Sequence, residues 1–154
     1  MLSAETKEFL ESGCALIVAT VSSVGEPFAT RGWGLFVLDD SGRVRILLDE
    51  ADTTALRDLD DSGRVAITAA HVPTLHSVQM KGRFLHTEPA DDRDHQKVVQ
   101  YCDSFFTDIE NTDGQPRRLL ERLVPESFVA CELVIDEFYD QTPGPGAGAS
   151  LVQP

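Results

Sequence analysis

Apolar positions along the chain fall mostly into short runs, separated by turn chemistry, with a few stretches at helical spacing between them. The opening "SAETKEFLES" predicts a short helix: Ser3 can cap it, Phe9 and Leu10 give it an apolar face, and Gly13 ends it. "CALIVATVS" (residues 14–22) then predicts a buried strand, and "SSVGEP" a turn. Phe28 to Leu38 reads as a second strand, with Gly32 and Gly34 thinning one face. Val44 to Asp49 reads as a third, in which Val44, Ile46 and Leu48 alternate with Arg43, Arg45 and Leu47. "DEADTTALRDL" (Asp49 to Leu59) starts a short helix that closes at Gly63. Arg64 to His71 and Leu75 to Glu88 follow as the fourth and fifth strands. On the fifth, Ser77, Gln79 and Lys81 share one face, and Val78 and Met80 the other. Residues 89–109 form a helix with acids in its first turn, favoured by the helix dipole. A shorter helix stops before Pro125, and Phe128 to Tyr139 is the sixth strand.

Short turns link most of these strands. The order predicts a mainly β chain with helices, an α+β fold whose antiparallel sheet closes into a small barrel with the helices outside. Residues 1–139 are expected to form one domain, and 140–154 a Gly/Pro-rich tail without regular structure. The tail's "TPGPGAG" reads either as a flexible terminus or as an extended arm laid across a partner subunit.

Charge narrows the function. The 154 residues carry a net charge of −13, which argues against nucleic acid and against an anionic membrane surface. The acidic start lacks the pattern of a signal peptide, and the run "CALIVATV" is too short to span a bilayer, so a cytoplasmic protein is expected. Cys14, Cys102 and Cys131 are widely spaced and read as buried, reduced thiols. No histidine stands at ligand spacing from a cysteine or a second histidine, so no metal site is expected. There is no GxSxG, GxGxxG or GxxxxGK[ST] motif, and no catalytic residue is assigned.

Arg31 stands between small residues in "FATRGWG". Gly32 and Gly34 could let a planar ligand approach, and Trp33 could stack on it or pack in the core. The row Ser77, Gln79, Lys81 reads as a solvent face or as hydrogen-bonding groups along a cofactor edge, the solvent face being the more ordinary reading.

"LIVATVSSVGEPFATRGWGLFV", followed by "VRILLDEADTTALRDLDDSGRVAIT" and "HSVQMKGRF", resembles the FMN-binding split-barrel family related to pyridoxamine 5′-phosphate oxidase, over about residues 14–88. The resemblance implies a homodimer of six-stranded antiparallel split β-barrels with peripheral helices. It also implies FMN, or alternatively F420 or haem, in clefts between the subunits. In the oxidase branch the second-strand arginine binds FMN, and it falls on Arg31, with the ring along Gly32, Trp33, Gly34 and on to Phe36. A Ser-Arg-Lys run that holds the phosphate aligns with Thr53, Thr54 and Ala55, with Arg57 on the same helix face as Thr53. A fifth-strand glutamine aligns with Ser77, and Gln79 lies one pleat along. The family's arginine and lysine are thus replaced, and Asp49, Glu50 and Asp52 oppose an anion there. The expectation is a flavin-dependent oxidoreductase that is not pyridoxamine phosphate oxidase itself. The alternatives are a non-catalytic flavin- or haem-sensing dimer, an F420 reductase, or no cofactor.

Overall fold

The computed structural model describes residues 2–151. Helix α1 (Ala4–Glu11) is capped by Ser3, whose hydroxyl accepts the Thr6 N–H at 3.1 Å. Strand β1 (Ala15–Val21) follows, then β2 (Pro27–Arg31), β3 (Leu35–Val37) and β4 (Arg43–Asp49). Helix α2 (Thr53–Ser62) precedes β5 (Arg64–Ala70) and β6 (Ser77–Pro89). The long α3 (Asp92–Asp113) carries a capping box, in which Asp91 and Asp94 each bond the other's N–H. A short α4 (Arg117–Leu120) runs into a 3₁₀ turn, and β7 (Phe128–Asp140) ends the sheet.

The stretch read as one strand from Phe28 to Leu38 is two, so the sheet has seven strands, in the order β2-β1-β5-β6-β7-β4-β3. The break has a physical cause. Gly32 donates to Leu16 on β1 at 3.0 Å, while Trp33 donates to Leu47 on β4 at 2.8 Å. Leu47 returns a bond to Gly34 at 3.0 Å. Within three residues the chain changes partner from one end of the sheet to the other. A Cβ at Gly32 would press on Ile46 and Leu16 at 2.9 and 3.0 Å, and Gly34 has a φ of +146°, so both glycines are required by the crossing. Counted as one bent strand, β2 and β3 close the six-stranded antiparallel barrel. The fold is α+β, a split barrel with peripheral helices.

The barrel interior is filled by alternate residues, among them Leu16, Val18, Ile46, Ile67, Met80 and Leu133, all fully buried. The three cysteines are buried and unbridged. Among the described residues no helix is long and apolar enough to cross a membrane.

The tail folds back on its own chain. Gln141 donates to Ser77 O at 2.8 Å, and Ser77 N–H donates to the Thr142 hydroxyl at 3.1 Å. Asp140 donates to Ala149 O and Leu151 to Phe138 O, both at 2.9 Å, around a single bridge from Tyr139 to Ser150. β4 pairs with β7 only as far as Val134, so these bonds occupy an edge of β7 that β4 leaves free.

Candidate functional site

Register places one row of side chains across the outward face of five strands. Ile17 pairs with Arg31 on one side and Thr68 on the other; Thr68 pairs with Gln79, and Gln79 with Tyr139. Directly paired residues point to the same face, so Arg31 and Gln79 are brought onto one surface, about 14 Å apart at ordinary strand spacing. Gln79 donates to the Thr68 hydroxyl at 3.4 Å, along that face. The neighbouring rows are small up to β6: Ala29–Ala19–Ala66, which ends at Lys81, and Ala15–Ala70–Ser77. Ile17 stands 41% exposed among them. A groove of about 430 Å³ follows Ala19, Val21, Arg64, Ala66, Lys81 and Glu137.

At one end of the row, Arg31 is half-buried. Its guanidinium carbon lies 5.2 Å from the Phe105 ring centroid and 6.0 Å from that of Trp33. Its Nη1 is buried and has no hydrogen-bond partner. Tyr101 stacks on the other side of this cluster, 5.5 Å from Phe105, and its buried hydroxyl is also unpartnered. Burial pushes the Tyr101 hydroxyl pKa up, against the pull of the nearby Arg31 charge, so it stays a neutral donor. Arg31 Nη1 is thus an orphaned donor at the rim of the outward face, whereas the Tyr101 hydroxyl is enclosed in the core beside Leu16, Cys14 and Cys102. Tyr101 and Phe105 were not among the residues singled out from sequence. The apolar spacing of α3 marks them as core, and nothing local marks the unpaired hydroxyl.

The other expected residues divide. Trp33 is 5% exposed and packs in the core; Gly32 turns its missing side chain inward, and Gly34 runs against Tyr101 and Lys97. Ser77 is buried and spends its hydroxyl on Leu75 O at 2.8 Å. Thr53 and Thr54 open α2, whose first turn has no side-chain cap. The Asp52 carboxylate instead accepts the Thr30 hydroxyl, which holds the start of α2 beside β2, one residue from Arg31. Arg57 is 63% exposed and leans 3.6 Å from Asp58. Asp58 is buried: one carboxylate oxygen takes the Thr20 hydroxyl at 3.0 Å, and the other has no hydrogen bond.

A larger cleft, about 550 Å³, lies away from this row, between α1, β3 and the start of α3. Its acids Glu88, Asp94 and Glu132 face Arg45 at 2.9, 2.7 and 3.4 Å. His86, Glu88 and Glu132 bring possible ligand atoms within 4.8 Å of one another, but both acids already have arginine partners, Glu88 in Arg45 at 2.9 Å and Glu132 in Arg43 at 2.6 Å. The outward face of the barrel therefore carries the stronger case. The alanine rows and the Arg31 guanidinium fit the ring of a flavin. The start of α2 does not fit its phosphate.

No family model matches the chain, and no curated protein matches it. Solved structures do. A pyridoxamine 5′-phosphate oxidase-related, FMN-binding protein from Nostoc punctiforme is 16% identical, with a TM-score of 0.50 over 94% of this chain and 87% of that one. HutZ, the haem storage protein from Vibrio cholerae, is 20% identical, with a TM-score of 0.53 over 90% of this chain and 94% of that one. An F420 reductase is 14% identical, with a TM-score of 0.53 over 89% and 98%. At these identities the likeness is one of fold: this is the split barrel of the pyridoxamine 5′-phosphate oxidase-like proteins.

Proposed function

We propose that this chain is a flavin-binding split-barrel protein that works as a homodimer and serves as a flavin-dependent oxidoreductase, and that it is not pyridoxamine phosphate oxidase itself. The observation that carries the reading is Arg31: a guanidinium with an unpartnered buried nitrogen at the rim of an uncovered, alanine-rich sheet face. A lost or unmade hydrogen bond to a charged donor costs about 1.5–3 kcal/mol, so the position asks for an acceptor. The flavin, when bound, supplies the redox chemistry; the chain's part is to bind and orient it. Solved proteins of this fold include an FMN-binding one, which supports the choice. The rows of this face carry no histidine for a haem iron, whereas a flavin needs no axial ligand.

The second subunit follows from the same face. The water-facing side of an antiparallel sheet ordinarily alternates to polar residues. Here Ala15, Ile17, Ala19, Ala29, Ala66 and Ala70 present a flat apolar surface that suits a second copy of the chain. Substituting Ile17→Glu is expected to give a monomer by light scattering and to abolish flavin binding with it. A variant that remains dimeric places the interface elsewhere.

The direct test is quenching of flavin fluorescence by the purified protein. Arg31→Ala is expected to weaken binding by about 1.5–3 kcal/mol, roughly tenfold or more in Kd. Its melting temperature should fall only slightly, because the substitution loses the cation–π contacts to Phe105 and Trp33 but breaks no ion pair among the described residues. A flavin spectrum unaltered by the wild-type protein would sink the reading.

A further inference from the structure

Granted the flavin reading above, on which this inference rests, we infer that the site takes a flavin whose tail ends in hydroxyl groups, the riboflavin class, and rejects the 5′-phosphate of FMN. The position is fixed by the Thr30–Asp52 hydrogen bond, which holds the start of α2 next to the strand that bears Arg31. Thr30 alternates with Arg31 and points to the opposite face, so α2 begins at the free edge of β2, and a tail that leaves a ring on the outward face and turns round this edge reaches it. A phosphate dianion at a helix start relies on free N–H groups and nearby cations. Thr53 N–H is already bonded to Ala51 O at 2.8 Å and Leu56 N–H to Asp52 O at 3.1 Å, which leaves those of Thr54 and Ala55, since no side chain caps the first turn. Cations are scarcer still.

Residues 49–61 hold six acids and one arginine. The Asp52 carboxylate is fastened at the helix start by Thr30 and cannot swing away without breaking that bond. Asp49 is fixed in the same way, its carboxylate taking the Ala51 N–H at 2.9 Å. Glu50 is exposed beside them. The single arginine is 63% exposed and already lies beside an acid. Arg57 is the nearest cation to Asp58, at 3.6 Å, and Asp58 is 1% exposed with one oxygen unbonded. Drawing Arg57 onto a phosphate strands a buried carboxylate, a costly exchange. Ala55, where a cation would serve, is fully buried.

What remains suits a neutral polyol. Hydroxyl groups donate to the fixed carboxylates of Asp49 and Asp52, and accept from the Thr53 and Thr54 hydroxyls and the free N–H groups of α2. The same arrangement repels a phosphate through each acid it meets.

The test is a fluorescence titration of the full chain with riboflavin and with FMN, at low and at high salt. Riboflavin is expected to bind about tenfold tighter than FMN at low salt. Raising the salt should tighten FMN, because it screens repulsion, and leave riboflavin unchanged. An ordinary phosphate cradle shows the reverse sign, weakening with salt. FMN binding tighter than riboflavin, or weakening as salt rises, overturns the inference while leaving the flavin reading intact. Quenching by neither flavin overturns the flavin reading itself, and this inference with it. Two variants confirm the location. Glu50→Gln should narrow the gap, and Thr54→Arg should close or invert it by raising FMN affinity alone. A gap that neither variant moves places the discrimination away from α2.

Discussion

Replacing Asp94 with alanine is expected to lower stability by about 3–5 kcal/mol, measured by urea unfolding at neutral pH. The reason is the partner it leaves behind. Arg45 stands mid-strand on β4, 9% exposed, and Asp94 is 1% exposed in the first turn of α3. Their contact is bidentate, Nε to Oδ1 at 2.9 Å and Nη2 to Oδ2 at 2.7 Å. Glu88 and Glu132 add contacts at 2.9 and 3.4 Å, but both reach only Nη1, so Nε and Nη2 lose their carboxylate. Asp94 also accepts the Asp91 N–H at 3.0 Å, so its loss removes one half of the capping box of the helix that carries Tyr101 and Phe105, the Asp91 cap on Asp94 N–H remaining. Arg45→Ala on the Asp94→Ala background should add little, because the pair acts as a unit.

The pH dependence has a defined sign. Burial raises the Asp94 pKa, but the Arg45 hydrogen bonds, the Asp91 N–H and the Arg45 charge outweigh it and hold the carboxyl below its ordinary value. A carboxyl depressed in the folded state contributes fully above its unfolded pKa, about 3.9, and loses the contribution as pH falls through its lower folded value. The gap between wild type and Asp94→Asn should therefore be constant from neutral pH down to about pH 4 and shrink below it. A gap that narrows instead between pH 7 and pH 5 assigns the stabilisation to another group.

The second large effect concerns Gly82. Alanine there is expected to cost at least the upper end of the ~1–3 kcal/mol range for overpacking. An added Cβ would stand 2.0 Å from the Val134 carbonyl oxygen and 2.9 Å from Ile135 Cα, both backbone atoms. The approach arises from a bulge: Lys81 pairs with Glu137 and Gly82 with Ile135, which leaves Asp136 as the extra residue of β7. The neighbouring strand has no room to retreat. Val134 is paired with Arg43, and Ile135 donates to Gly42 O at 2.9 Å. Gly146→Ala is the control, since a Cβ there meets nothing within 4 Å, and it should melt like the wild type. Equal melting temperatures for the two variants would show that β7 yields at the bulge.

Much of the architecture was readable from local pattern, and the failures share one cause. The alternation of Val44, Ile46 and Leu48 with Arg43 and Arg45 marks a strand without knowledge of its partners. The change of partner at Gly32–Trp33–Gly34 depends on which strands flank it, so two-residue periodicity ran straight through the bend. Arg45 alternates as a strand residue should, but its burial depends on Asp94, 49 residues away. The tail's glycines and prolines signal irregular backbone; that it docks on its own β7 follows from the length by which β7 outruns β4. In the candidate site, Arg31 was legible through motif and small neighbours. The unpaired Tyr101 hydroxyl, and the contact of Arg57 with Asp58, are properties of packing that no spacing encodes.

The crossing at residues 32–34 also bears on how the barrel breathes. The two ends of the sheet, β2 and β3, are joined covalently through three residues, so the ends can never separate by more than about 14 Å. Opening this seam breaks three backbone bonds, at Gly32, Trp33 and Leu47, and loses little chain order. Reclosure requires no search, and the register is retained by the covalent link. The amides of Gly32, Trp33 and Leu47 are thus set to exchange with solvent through local opening. Those at the centre of the long β6–β7 ladder, covered on both sides, exchange only when the whole barrel unfolds.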